Sequence, residues 1–107
     1  MAKVEYSPLA LEDLQCIRDY ILANFGESVA KKILKKLTSS ILSLEQHPLL
    51  GVDFGKIIDL QTEYRYLFLE NNYIFYRLEA DSIKIIRVLN ERQDYMQQLF
   101  GISEKVV

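Results

Sequence analysis

Hydrophobic positions follow two different periods along the chain. From Pro8 to Leu44 the spacing is helical, and Ala10, Leu14, Ile17, Ile21 and Phe25 fall on one face, with Glu12, Asp13, Arg18 and Asp19 turned outward. Ser7-Pro8 reads as an N-cap followed by the first helical residue, where proline's missing N–H costs nothing. Gly26 supplies a left-handed C′ position, so the first helix spans residues 8 to 24. A second helix starts at Glu27-Ser28 and carries Ala30, Ile33, Leu37, Ile41 and Leu44 on one face. It must stop near His47, because Pro48 disfavours the α conformation in the residue before it. The tight link through Gly26 makes the pair an antiparallel hairpin. Neither helix is stable alone, so their joint apolar face must lie on a sheet.

The sheet is written in the second regime. Lys3 to Tyr6 is a short strand in which Val4 alternates with charged neighbours. The run from Glu63 to Asp94 packs β-branched and aromatic residues into three segments, separated by Asn71-Asn72 and Ala80-Asp81-Ser82, and reads as an antiparallel meander. A two-residue turn at Asn71-Asn72 puts Arg65, Leu67, Leu69, Ile74, Tyr76 and Leu78 on one face and Tyr64, Tyr66, Phe68, Tyr73, Phe75 and Arg77 on the other. Both faces are thus apolar, one aliphatic and one aromatic, whereas a sheet with one wet face alternates apolar with polar. The second face needs a cover. Asp94 to Phe100 can supply it as a short helix through Tyr95, Leu99 and Phe100, or another protein can. Between hairpin and meander, His47-Pro48 to Gly55 is a connector and Lys56 to Leu60 is read as extended; Glu104 to Val107 is read as a frayed end. The expected fold is α+β over a single domain, 1–107: an N-terminal strand, a helix hairpin packed on a small, mainly antiparallel sheet (β-α-α-β-β-β), and a short C-terminal helix.

Composition narrows the setting. A chain of 107 residues, half of them hydrophobic, buries about two-thirds of its unfolded surface and needs no staple. One cysteine, Cys16, excludes an intramolecular disulfide and any cysteine-rich metal site, which fits a reducing cytoplasm. No apolar h-region follows Met1, and no apolar run reaches the length of a membrane span, so a cytoplasmic protein is expected. The net charge is −2 and the pI near 5.4, which argues against an extended nucleic-acid surface. Lys31, Lys32, Lys35 and Lys36 form one basic cluster, read as the solvated face of the second helix.

The candidate chemistry lies in the arginines. Arg65, Arg77 and Arg87 sit inside apolar strands, where an unpaired guanidinium costs several kcal/mol, so each must be paired, edge-exposed or lining a groove. Arg77 is expected to stack over Tyr73 or Tyr66, Arg87 to pair with an acidic side chain of the first helix, and Arg65 to reach the sheet edge, pair with Glu63 or Asp59, or serve a partner. Arg92 lies in a loop past the last strand, where packing roles are rarer, and is the leading functional candidate. His47 suits a helix C-terminus better than catalysis, and Cys16 reads as an apolar filler. Seven tyrosines exceed what a core needs, and some should line a partner-covered face. No cofactor and no metal site is expected.

Taken in order, Tyr6-Ser7-Pro8 with Ala10 and Asp13-Leu14, His47-Pro48 with Gly51, Tyr64-Arg65, Tyr73-Ile74-Phe75-Tyr76-Arg77, and Ile86-Arg87-Val88-Leu89 with Arg92 and Asp94 resemble the RelE/ParE superfamily of toxins. These are the small toxic partners of type II toxin–antitoxin, or plasmid stabilisation, modules. The likeness covers nearly the whole chain. It implies either a RelE-like, ribosome-dependent endoribonuclease cutting mRNA, or a ParE-like poison of DNA gyrase without nuclease chemistry. In both cases a cognate antitoxin is implied, with a homodimer or a toxin–antitoxin hetero-oligomer as possible assemblies. An inactive relative that only binds antitoxin is a third reading. If RelE-like, the catalytic set would be Arg65, Arg92 and Tyr95; the partner-binding set would be Arg92, Arg65, Tyr66, Tyr73 and Phe75. The His-Pro with a following glycine, the Ile-Phe-Tyr-Arg strand and Arg-Val-Leu before Arg92 and Asp94 resemble the ParE branch more closely. Asn90 stands where a histidine is frequent in the nucleases, and an amide is neither acid nor base near neutral pH.

Overall fold

The computed structural model describes residues 2–58 and 61–101. Strand β1 (Lys3–Tyr6) leads into helix α1 (Pro8–Phe25) and helix α2 (Glu27–Ser43). A two-residue strand β2 (Val52–Asp53) precedes the meander β3 (Arg65–Leu69), β4 (Asn72–Leu78) and β5 (Ser82–Asn90), and helix α3 (Tyr95–Phe100) follows. The five strands form one sheet in the order β1-β5-β4-β3-β2, with β1 parallel to β5 and the remaining pairs antiparallel. The expected α+β architecture is therefore present, with β2 added inside the connector.

Ser7 caps α1, its Oγ accepting from Ala10 N at 3.0 Å while donating to Ile86 O at 2.7 Å, so one hydroxyl starts the helix and ties it to the sheet. Gly26 joins the two helices at φ 91°, ψ 172°. This is not the αL conformation expected from the sequence but an extended, positive-φ one that is open essentially to glycine alone. Beyond Leu14 the core face of α1 thins out: Ile17 and Ile21 are half-buried and Phe25 is 62% exposed, so the expected core face ends early. Cys16 is exposed rather than a core filler.

The β3–β4 turn is formed by Glu70 and Asn71, both at positive φ (53° and 62°), one residue earlier than Asn71-Asn72. The pairing consequently shifts by two residues, which leaves the predicted faces intact. Leu67, Leu69, Ile74 and Tyr76 meet Ala10, Leu14, Leu37, Ile41 and Leu44 under the helix hairpin. On the other face Phe75 and Leu89 pack with Phe54, and Tyr64, Tyr66, Tyr73, Tyr95, Met96, Leu99 and Phe100 surround them. Of the two covers the sequence allowed, the chain's own α3 lies over the aromatic face. Phe54–Lys56 is a 3₁₀ turn, started by Asp53 accepting from Gly55 N at 3.0 Å, where the sequence reading begins an extended segment; Asp59 and Leu60 lie outside the described residues, as does the end from Glu104 to Val107.

Strand β5 changes phase within itself. Phe75 faces Arg87 while Tyr76 faces Ile85, so Ile86 is an extra residue, a β-bulge. Before the bulge Ile83 and Ile85 face the hairpin; after it Val88 does, while Leu89 joins the α3 side. Without the extra residue, Arg87 would point into the aliphatic core. The positive-φ link is a direct test of the hairpin: Gly26→Ala should cost about 1–2 kcal/mol, read as a lower urea midpoint, because no neighbouring atom but only the backbone angle resists the methyl group. An unchanged midpoint would show that the link adopts another conformation.

Candidate functional site

The four arginines singled out in the sequence have four different environments. Arg87 clasps Asp13 of α1 in a bidentate pair, Nε to Oδ2 at 2.7 Å and Nη2 to Oδ1 at 2.8 Å, with both side chains nearly buried. The same carboxylate accepts Val88 N at 2.9 Å, and Arg87 Nη1 donates to Gln98 of α3 at 3.2 Å. Hydrogen bonding to Asp13 raises the Arg87 pKa, so the guanidinium stays charged at any relevant pH. The expected pairing with helix one is thus observed. Arg77 pairs with Glu79 at 2.7 Å instead of stacking on Tyr66 or Tyr73, because a carboxylate two residues along the same chain is in closer reach. That contact raises the Arg77 pKa and lowers that of Glu79.

Arg65 binds backbone oxygens. Its Nη2 donates to Gly51 O at 2.8 Å and Leu49 O at 3.3 Å, and its Nε to Gly51 O at 3.2 Å. Its cross-strand partner Tyr76, fully buried, donates its hydroxyl to Pro48 O at 2.9 Å and accepts from Gly51 N at 2.8 Å. Two strand side chains therefore grip the loop from His47 to Gly51 through its main chain. A Cβ on Gly51 would stand 2.5 Å from the Tyr76 oxygen and 2.8 Å from Tyr66 O, which explains the glycine. The loop so held displays Leu49 and Leu50, 65% and 57% exposed.

Arg92 is exposed on the turn between β5 and α3, and its guanidinium has no hydrogen bond or ion pair among the described residues. The turn beneath it is ordered: Asn90 Oδ1 accepts from Arg92 N at 3.0 Å, Gln93 Oε1 from Asn90 N at 2.8 Å, and Asn71 O from Glu91 N at 2.9 Å. Arg92 thus stands at the end of the sheet where Phe68, 49% exposed, packs on Tyr73 with ring centroids 4.8 Å apart. Tyr66 and Tyr73 are half-buried beside them, and Phe75, expected on a partner surface, is fully buried beneath Phe54 and α3. Its place in the aromatic layer leaves it no surface to offer. Tyr95 packs edge-on against Phe54, Tyr73 and Phe75.

These positions bear on chemistry. Arg65 shares the face of Tyr76, under the hairpin side, whereas Tyr95 belongs to the aromatic side, so the sheet separates them. Arg65, Arg92 and Tyr95 are not brought into one cluster. Among the described residues no group of three or more histidine, cysteine or carboxylate side chains is placed to hold a metal ion, and no helix is long and apolar enough to cross a membrane. The sequence reading missed what the His-Pro motif and its glycine do together: the signal is a small residue three positions after the proline, which the sequence shows without naming Tyr76 as its partner. It also missed Gln98, which accepts from Arg87, and Glu45, whose Oε2 accepts from Val4 N at 2.8 Å; helical spacing gives no signal for either.

The family described as ParE toxin of type II toxin–antitoxin system, parDE, matches residues 4–95. No curated protein sequence matches significantly. Among solved structures the chain is similar to the chromosomal ParDE toxin–antitoxin system from P. aeruginosa, with a TM-score of 0.72 and 22% identity over 84% of this chain and 96% of that one. It is also similar to the YoeB–YefM complex from Staphylococcus aureus, with a TM-score of 0.52 and 21% identity over 83% and 95% of the two chains. At such identities the structures establish a shared fold, and the family match extends over most of the chain. The chain belongs to the ParE toxin family of type II toxin–antitoxin systems.

The grip on the loop is testable without function. Tyr76→Phe leaves Gly51 N–H buried without an acceptor and should cost about 1–3 kcal/mol, while Gly51→Ala should cost at least as much through the clash. Equal urea midpoints for wild type and Tyr76→Phe would show that water replaces the hydroxyl.

Proposed function

We propose that this ParE-family toxin acts by binding and poisoning DNA gyrase, and that a cognate antitoxin neutralises it. The observation that carries the choice over mRNA cleavage is the scattering of the residues a nuclease would use. Cutting RNA through its 2′-OH needs a base, an acid and a cation around one phosphate. Arg65 is engaged with the carbonyls of Leu49 and Gly51, Tyr95 lies across the sheet from it, and Asn90 supplies an amide already accepting from the backbone of its own turn. A net charge of −2 also favours a protein target over the ribosome's phosphate surface.

In this reading the contact with the target is made by Arg92 together with the exposed Phe68 and the half-buried Tyr66 and Tyr73. An exposed guanidinium on an ordered turn, at the sheet end that carries the exposed Phe68 ring, has the composition of an interface anchor. The antitoxin reading is supported by the family and by the toxin–antitoxin complexes whose toxins share this fold.

Induced expression without antitoxin separates the mechanisms. Loss of supercoiling with a DNA-damage response and intact mRNA is expected; cleaved mRNA in a translating extract would establish the endonuclease instead, and unimpaired growth would mark an inactive relative. Arg92→Ala should weaken binding to gyrase by at least about tenfold, the equivalent of about 1.4 kcal/mol, and relieve growth arrest, with an unchanged urea midpoint. Undiminished arrest in that variant would remove Arg92 from the contact.

A further inference from the structure

The sheet has two edges, and they are finished differently. On the β1 edge the N–H of Val4 is taken by the Glu45 carboxylate at 2.8 Å. The β3 edge has no such cap along its last part. Strand β2 stands only opposite its start, with Val52 against Tyr66 and Asp53 against Arg65, which leaves Leu67, Phe68 and Leu69 without a strand on that side. The direction of their main-chain groups follows from the turn. Glu70 and Asn71 form a two-residue turn closed by the hydrogen-bonded pair Leu69 and Asn72, so the alternate residues Tyr64, Tyr66 and Phe68 turn their N–H and C=O away from β4. On that outer side Tyr64 O accepts from Phe54 N at 3.0 Å. Continuing the β2 line back from Val52 would set Leu50 against Phe68, but Leu50 N donates to His47 O at 3.0 Å and the chain turns away. Among the described residues neither main-chain group of Phe68 has a hydrogen-bond partner. Leu50, Val52 and Phe68 are exposed around the gap, and the loop that carries Leu50 is gripped by Arg65 and Tyr76, so it is not free to close it.

We propose, resting on the gyrase reading above, that a short extended segment of the target fills this gap and pairs its main chain with the N–H and C=O of Phe68. The occupant follows from the chemistry of the gap: an outward donor and acceptor on one strand residue are matched together by a peptide main chain. Residues opposite one another across a sheet share a face. The segment residue opposite Phe68 therefore lies on the aromatic side, and its two neighbours lie beside Leu67 and Leu69 on the hairpin side, so all three are apolar. At the end of the sheet past the Glu70-Asn71 turn stands Arg92, its guanidinium unpaired among the described residues, so the segment carries a carboxylate toward that end. Val52 blocks the line in the other direction, which limits the added strand to the length of Leu67 to Leu69. The same block disfavours a second copy of the chain. Pairing β3 with itself about Phe68 would set Glu70 of one copy opposite Tyr66 of the other, where Val52 already stands. Main-chain pairing thus fixes the register of the target segment, and Arg92 selects its charge.

Amide hydrogen exchange on the toxin, free and bound to purified DNA gyrase, tests this. Binding that inhibits supercoiling is first required; without it the gyrase reading itself fails and the proposal with it. Given inhibition, the Phe68 amide should exchange at least about tenfold more slowly in the complex, while that of Leu67, already bonded to β4, changes little. Two substitutions separate the ring from the main chain. Phe68→Ala and Phe68→Pro both lose the ring, only the second loses the N–H, and that N–H makes no bond to β4, so both should keep a cooperative urea transition. Phe68→Pro should bind gyrase at least about tenfold more weakly than Phe68→Ala. If Phe68→Pro does not fold, Leu50→Asp, at an exposed position, carries the test: it should keep its thermal midpoint and lose at least about tenfold in affinity. Supercoiling inhibited with Phe68 exchange unchanged would overturn the proposal and leave the gyrase reading standing. So would equal affinities of the folded Phe68→Ala and Phe68→Pro variants, or undiminished affinity in Leu50→Asp. Slow Phe68 exchange in the free toxin at concentrations where it sediments as a dimer would also overturn it, by assigning the edge to a second copy.

Discussion

The ion pair between Asp13 and Arg87 links every layer of the molecule. One carboxylate on α1 takes two guanidinium N–H groups and the Val88 N–H of β5, and the same guanidinium reaches Gln98 on α3. The geometry has a topological cause. Strand β1 is short and ends at Tyr6, so the last part of β5 has no strand neighbour on that side, and Val88 N–H would face an empty edge. Asp13, on the second turn of α1, fills it. A charge pair at this depth is tolerable only when its lone pairs and protons are used, as they are here, and removing one member leaves the other charge nearly buried and unpaired.

The bulge at Ile86 makes the clasp possible, since it moves Arg87 out of the aliphatic core and frees the Ile86 carbonyl for Ser7. The chain start, the helix cap, the bulge and the clasp are thus one device that docks the hairpin on one face while α3 covers the other. Across the sheet a second device grips the loop from His47 to Gly51 through Arg65 and Tyr76. The family-like motifs of the chain largely turn out to be these two devices. This accounts for arginines in apolar strands without assigning them chemistry, and leaves Arg92 and the β3 edge at Phe68 as the surfaces with unused capacity.

Much of this was legible in the sequence. Period 3.6 with Ser7-Pro8 and Pro48 located the helices, and period 2 located the strands and both faces, because face assignment depends only on parity and survives a two-residue slip of register. Charge complementarity placed the partner of Arg87 on helix one. Other features depend on distances between elements that periodicity does not encode. The bulge at Ile86 adds no breaker residue, the Tyr76–Gly51 contact joins positions 25 residues apart, and Phe25 is exposed although its spacing is that of a core position. Arg77 found Glu79 where an aromatic stack was expected, since a nearby carboxylate outweighs a cation–π contact at an exposed site. For the candidate site, exposure separates residues that residue type alone left together: Phe75 is core, and Arg92 is exposed.

The claim on which the rest depends is that Asp13 and Arg87 act as one coupled unit, and a double-mutant cycle measures it directly. Urea denaturation of wild type, Asp13→Ala, Arg87→Met and the double variant should give a coupling of about 2 kcal/mol or more, with each single variant destabilised and the double variant far more stable than their sum implies. Additive effects, agreeing within about 0.5 kcal/mol, would contradict the account and reduce the pair to a surface contact between elements held together by other means.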